Sequence, residues 1–428
     1  MDTDDYALIR DLVDDRRDRH RSLLRTGMDH SVTDLDTFQE WVATRLRAIG
    51  VETDSFRLTP SDVTDQPAYQ RTIESDPEGL RTGRNVVGVR AGDTDGPSTL
   101  LFAHADKNPI TFEQATETPA FRERGDRFVG PGIADDVSGV TAILSAIEVV
   151  ADSELAFAGD LLVGSVLGKQ FGVLGTYGLV TRYDPTDTAI YIHPAETEAG
   201  LNELKIGSNG ICEFRIEIEG KPPDTAEAMH TVFRESAINP IEKAATIQEC
   251  LLEWADQASA AYSYGPLEKL ADRSISVMVG NCRVDAGDSV YRVPDRCILE
   301  GTVCFPPSIS RETIQTAVQD RLRSINAEDQ GIDDTPIELT WGDFVADSAA
   351  TPADSEFLER GVDALEEFVD RRPTHYYGHT ASDIRYPLLY WDADTFGFGP
   401  LDEWIDMTEY RNTIETIVAL IATTDQSE

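Results

Sequence analysis

His104 and Asp106 close an apolar run, Leu100-Leu-Phe-Ala-His-Ala-Asp-Lys-Asn-Pro109. Asp135 and Asp136 follow a glycine-rich turn in Gly130-Pro-Gly-Ile-Ala-Asp-Asp-Val-Ser-Gly139. Imidazoles and carboxylates are the side chains that hold divalent cations or move protons. The first run stops as a buried parallel strand stops when its last side chains face a site. The second leads into a helical pattern, Val140-Thr-Ala-Ile-Leu-Ser-Ala-Ile147. Both stretches are therefore expected at the C-terminal edge of a sheet, where open α/β folds hold ligands. Farther on, Leu167-Gly-Lys-Gln-Phe-Gly172 follows a second apolar run, and Thr188-Ala-Ile-Tyr-Ile192 ends at His193-Pro194. A His-x-Asp pair alone is compatible with a hydrogen-bonded surface pair. In register with Asp135 and His193 it points to a metal. Glu196 and Glu198 are either general bases or solvated carboxylates of an acidic chain. Asp136 is expected as a charge at a helix N-terminus.

The elements that must position these residues alternate. Helical periodicity runs over 4–25 and 34–49, and strands are predicted at 51–58, 85–90, 99–103, 159–166 and 188–192. This is a doubly wound α/β pattern. It changes near Gly210. Residues 211–219 alternate apolar and polar, a helix is expected over 238–257, strands over 274–284 and 296–305, a helix over 311–325, and a strand at Ile337–Trp341. That order, β-α-β-β-α-β, is ferredoxin-like. Buried-strand and helix patterns then return, to a final helix at 408–422. The expected organisation is an α/β domain formed by 1–209 and 342–428, interrupted by an inserted α+β domain at 210–341.

Composition narrows the function classes. The chain has 428 residues and a formal net charge of −41. Nucleic acid and anionic membranes would be repelled by such a surface. No apolar run approaches the roughly 20 residues of a membrane helix. The polar, acidic start reads as no signal peptide. The 5 cysteines show no CxxC spacing, so reduced thiols in a cytoplasm and packing within strands of the inserted domain are expected. An acidic surface on an ordinary apolar pattern points to a salt-rich cytoplasm, the simpler alternative being a merely acidic protein. His20, His30 and His230 are expected at the surface.

These motifs resemble the cocatalytic zinc aminoacylases and carboxypeptidases typified by acetylornithine deacetylase and succinyl-diaminopimelate desuccinylase. The resemblance covers nearly the whole chain. It implies that His104 binds one zinc, that Asp106 orients the site, that Asp135 bridges two zincs, and that His193 takes the place of a carboxylate ligand. The second metal site departs from the family. Lys169 stands at the general-base position, Gln170 at a ligand position, and Ile405 at the last histidine position. Asp224 replaces a histidine that stabilises the oxyanion in the family, Tyr291 an asparagine and Cys304 an arginine. Thr380-Ala-Ser-Asp-Ile-Arg385 keeps the look of the substrate loop, so His379, Ser382, Asp383 and Arg385, with Gln170 and Asp224, are expected at the substrate; His375 stands just upstream of the loop. An ammonium at position 169 supplies positive charge where a dication is missing. At ~4 Å and an effective dielectric of ~20, such a charge pair is worth on the order of 4 kcal/mol.

The expected function is a metallohydrolase cutting the C–N bond of N-acyl amino acids or small peptides. One divalent metal, zinc by the resemblance, would be bound per chain by His104, Asp135 and His193, with Lys169, Asp106 and Glu196 in catalytic roles. A homodimer through the inserted domain is implied. The alternatives are a non-catalytic descendant that binds a ligand or partner and, less directly, a mononuclear redox site built on two histidines and a carboxylate.

Overall fold

A computed structural model describes residues 1–31, 34–63, 66, 83–106, 121–169, 174–197, 199–285, 290–328, 336–378, 382–400 and 404–424. Gln170, Glu198 and His379 lie outside the described residues. The chain divides into two compact units, Met1–Ser208 with Ala350–Glu428, and Asn209–Ala349.

The first unit is built on a nine-stranded mixed sheet. Its order is Glu52–Phe56, Asn85–Arg90, Leu161–Val166, Thr99–His104, Thr188–Ile192, Asp394–Phe398, Glu203–Ser208 and Ala349–Ala350. Thr374–Gly378 pairs parallel with Glu203–Ser208. The three central strands are buried along their whole length, as befits parallel strands covered on both faces. Thr99–His104 has parallel neighbours on both sides, Leu161–Val166 and Thr188–Ile192. The connections that leave it in sequence thus go first one way and then the other. In a doubly wound sheet this reversal opens a crevice beyond the strand ends.

The expected helix over 4–25 is two helices, Thr3–Asp14 and Arg17–Ser31. Arg16 Nη1 donates to the carbonyl of Leu12 at 3.0 Å and closes the first of them. His20, expected at the surface, is buried. It heads the stripe His20, Leu23, Leu24, Gly27, Met28 and Ser31, whose three- and four-residue spacing puts the imidazole on the packed face. Ser138–Ala151 is buried from Ser138 to Val150, and the helix Met407–Ile421 packs against it.

The second unit has a four-stranded antiparallel sheet in the order Ser276–Asp285, Arg296–Phe305, Gly210–Glu219, Ile337–Ala346. Along Gly210–Glu219, Cys212, Phe214, Ile216 and Ile218 are buried, and they pack with Ile247, Leu251, Ile314 and Val318 of two helices. The first of these helices, Pro240–Ala261, starts where the Asn239 side chain accepts from the Ile241 N–H and proline occupies the first turn. Cys250 lies on this helix rather than on a strand. A further helix, Gly265–Ala271, interrupts what the sequence pattern presents as a connection.

Candidate metal centre

Strand register brings the two histidines together. Phe102 lies opposite Tyr191 on adjacent parallel strands. Two residues beyond that pair, on the same face of each strand, stand His104 and His193. Both are buried, and their ring centroids are 5.4 Å apart. Asp135 arrives from the turn Ile133–Val137, entered through Gly132 at φ 73°, a left-handed conformation that glycine adopts without a Cβ clash. Asp135 Oδ1 lies 2.7 Å from His104 Nε2 and 3.4 Å from His193 Nε2. One ligand atom from each of the three residues lies within 4.8 Å of the others. Lys169 follows Gly168, also left-handed at φ 92°. Its Nζ hydrogen-bonds His193 Nε2 and stands 3.8 Å from Asp135 Oδ1.

The far sides of both imidazoles are tied down. His104 Nδ1 donates to the backbone carbonyl of Asp106 at 2.8 Å, and His193 Nδ1 to that of Pro194 at 2.8 Å. Each ring is thereby oriented with Nε2 toward Asp135, the arrangement seen in metal-binding histidines. Zinc held at about 2.0–2.1 Å by tetrahedral ligands sets those ligand atoms roughly 3.3 Å apart. The 3.4 Å separation of His193 and Asp135 matches this, and the 2.7 Å separation of His104 and Asp135 needs only a small opening. Two nitrogens and one carboxylate oxygen suit zinc and neighbouring divalent cations.

Two more carboxylates hold the backbone of the site. Asp106 accepts from the Gly168 N–H at 3.1 Å, fixing the turn that presents Lys169. Asp136 is buried, accepting from the His104 N–H at 3.3 Å and, as expected at a helix start, from the Gly139 N–H at 3.1 Å. Burial raises the Asp136 carboxyl well above the usual carboxylate range, the nearby His104 charge opposing it. Asp135 goes the other way. Burial pushes it up, but its bond to His104 and the charges of His104 and Lys169 hold it below that range. Burial and the Lys169 charge press the His104 imidazole down, yet Asp135 outweighs them and lifts it to about 9. A divalent cation held by these residues would have to take the place of the proton on His104.

The remaining expected residues are placed variously. Glu196 hydrogen-bonds Lys205, a lysine whose side chain is 1% exposed. Asp383 accepts from Thr176 Oγ1 and, at 3.0 Å, from Tyr191 Oη. Tyr191 in turn stacks on His193 and lies within cation–π reach of Lys169 and Lys205. Arg385 donates to the Ser382 carbonyl at 3.2 Å and to Ser208 Oγ at 2.8 Å, and Ser382 is buried. Asp224 is exposed in the second unit, and Ile405 is buried on the short strand Ile405–Asp406. Sequence reasoning missed Tyr191, Thr176 and Lys205. Only Lys205 left a signal, a lysine in the otherwise apolar run Leu204–Ile206.

No family model matches the chain. It is 23% identical over 318 residues to the N-formyl-4-amino-5-aminomethyl-2-methylpyrimidine deformylase of Bacillus subtilis, covering 71% of this chain and 66%, just under two thirds, of that protein. Its structure superposes on a tripeptidase from Staphylococcus aureus with a TM-score of 0.66 at 14% identity, over 94% of this chain and 97% of the other. An M20 family metallo-carboxypeptidase from Sulfolobus solfataricus gives a TM-score of 0.59 at 14% identity, again over 94% and 97%. The doubly wound sheet with its inserted unit is the fold of these proteins.

Proposed function

We propose that this chain, a divergent relative of the M20 metallopeptidases and amide hydrolases whose fold it carries, is a hydrolase of C–N amide bonds that works with one metal. N-acyl amino acids or small peptides are its substrates, and His104, Asp135 and His193 hold the cation, zinc in our reading. The observation that carries this is the convergence of two Nε2 atoms on Asp135 Oδ1 with both Nδ1 atoms satisfied behind them. When bound, a divalent cation there supplies Lewis acidity and lowers the pKa of water. The chain's own residues do the rest. Lys169 places a positive charge beside the cluster, where it stabilises negative charge developing on the substrate oxygen. Glu196, paired with Lys205 and 17% exposed at its side chain, is assigned proton transfer. Asp106 is assigned the positioning of Gly168 and Lys169. Salt adaptation, a cytoplasmic setting and a homodimer through the inserted unit belong to the same reading. The charge of −41 supports the salt adaptation.

One observation favours a second reading, a binding module without turnover. By the motif resemblance, Lys169 stands where the family has its general base and Ile405 where it has a metal ligand. Metal analysis of the purified chain, together with assays on N-formyl and N-acetyl amino acids and dipeptides, separates the two. Hydrolysis with one metal per chain, both lost in His104→Ala, is expected. Metal without turnover leaves the binding module, and no metal at all rejects the centre.

A further inference from the structure

Lys169 Nζ hydrogen-bonds the same atom, His193 Nε2, that a cation held by His104, Asp135 and His193 must use. It also lies 3.8 Å from Asp135 Oδ1, and its side chain is only 7% exposed. The imidazole has no second atom to offer, because Nδ1 is spent on the Pro194 carbonyl. Nor is the lysine a loose surface chain that drifts into the site. Its backbone is set by left-handed Gly168, whose N–H is held by Asp106, and Nζ stands over the face of Tyr191. An ammonium and a divalent cation repel each other strongly at contact distance in a buried site. They also compete for one nitrogen.

We infer that Lys169 and the divalent metal are alternative occupants of one cation position, so that the metal enters only as the ammonium leaves His193. The inference rests on the metal-centre reading proposed above and deepens it. Without metal, Lys169 occupies the cluster and offsets the Asp135 charge. With metal, the displaced ammonium is left beside the cluster, where a substrate oxygen arrives. Metal loading and the freeing of Lys169 for the substrate are then a single event. The arrangement also accounts for a lysine at this position in a chain where most of the positive charge is arginine.

The test is metal affinity, measured by calorimetric titration of the metal-stripped full-length chain with Zn2+, and by Co2+ absorption as a second readout. Lys169→Met removes the competing charge while keeping the apolar stem, and Lys169→Gln serves as a second variant if the first does not fold by circular dichroism. Both are expected to bind one Zn2+ per chain at least tenfold more tightly than the parent. Equal or weaker binding by the variants, with the parent still binding one Zn2+, overturns the competition and leaves the metal centre standing. If neither the parent nor the variants bind more Zn2+ than His104→Ala, the metal centre itself fails, and the competition with it.

Discussion

Tyr191 stacks on His193, their ring centroids 4.9 Å apart and their planes 27° from parallel. The two residues point to the same face of one strand, and the tyrosine hydroxyl is anchored by Asp383 at 3.0 Å. A residue from the expected substrate loop thus acts on the site from beneath, by fixing the ring on which His193, the proposed metal ligand, rests. Tyr191→Phe keeps the ring and removes the bond. Leaving a buried carboxylate with one partner fewer costs about 1–3 kcal/mol. Denaturant melts should show that loss, while zinc binding weakens without disappearing, since the imidazole remains.

Lys205 and Glu196 form an ion pair whose lysine is almost wholly buried. Breaking such a pair from one side leaves an uncompensated charge and costs on the order of 3 kcal/mol, whereas replacing both partners with apolar groups is close to neutral. Lys205→Met should therefore destabilise the chain strongly, and Lys205→Met/Glu196→Leu should recover most of the loss. A double variant no more stable than the single one removes the pairing argument.

Gly139 packs against the carboxylate that ties His104 to the following helix. A Cβ added there would meet Asp136 Oδ1 at 2.3 Å and the Ile192 carbonyl at 2.8 Å. The carbonyl belongs to the residue before His193 and cannot move freely. Gly139→Ala should cost about 1–3 kcal/mol by overpacking and weaken zinc binding through displacement of Asp136. Unchanged stability and unchanged binding would show that the clamp is dispensable.

Glu415, 1% exposed at its side chain, stands 3.6 Å from Arg411 Nε, and neither carboxylate oxygen has a hydrogen-bond partner among the described residues. Burial raises its carboxyl from 4.5 to about 7, the Arg411 charge opposing the shift. The folded chain therefore holds a proton that the unfolded chain has released between about pH 4.5 and 7. Stability from this group is full below the lower value and is lost as pH rises through the upper one, by on the order of 3 kcal/mol. Glu415→Gln should raise the melting temperature at pH 8 and change it little at pH 4. Equal effects at both values would exclude ionisation as the cause.

Much of this site is written locally. His104, Asp135, Lys169 and His193 each sit where an apolar strand or a glycine turn gives way to polar residues, and strand ends at the C-terminal edge of a parallel sheet collect ligands whatever the sequence between them. The alternation of strand and helix, and the break near Gly210, are likewise periodicities visible within a dozen residues. The division of the described residues at Ser208 and Ala350 follows chain compactness rather than any single motif. His20 shows how a local reading fails. A histidine suits a surface, and only the packing of its helix face decided that it lies inside.

Residue types at strand ends, and the elements that bear them, were determined by the sequence alone, because hydrophobic period and turn chemistry act between near neighbours. Partner choice was decided only by the tertiary structure: Lys169 on His193, Lys205 on Glu196, and Asp383 beneath Tyr191, 192 residues away in sequence. Such pairings depend on register between strands and on which buried charge lacks a counter-ion. Neither quantity exists until the sheet has formed.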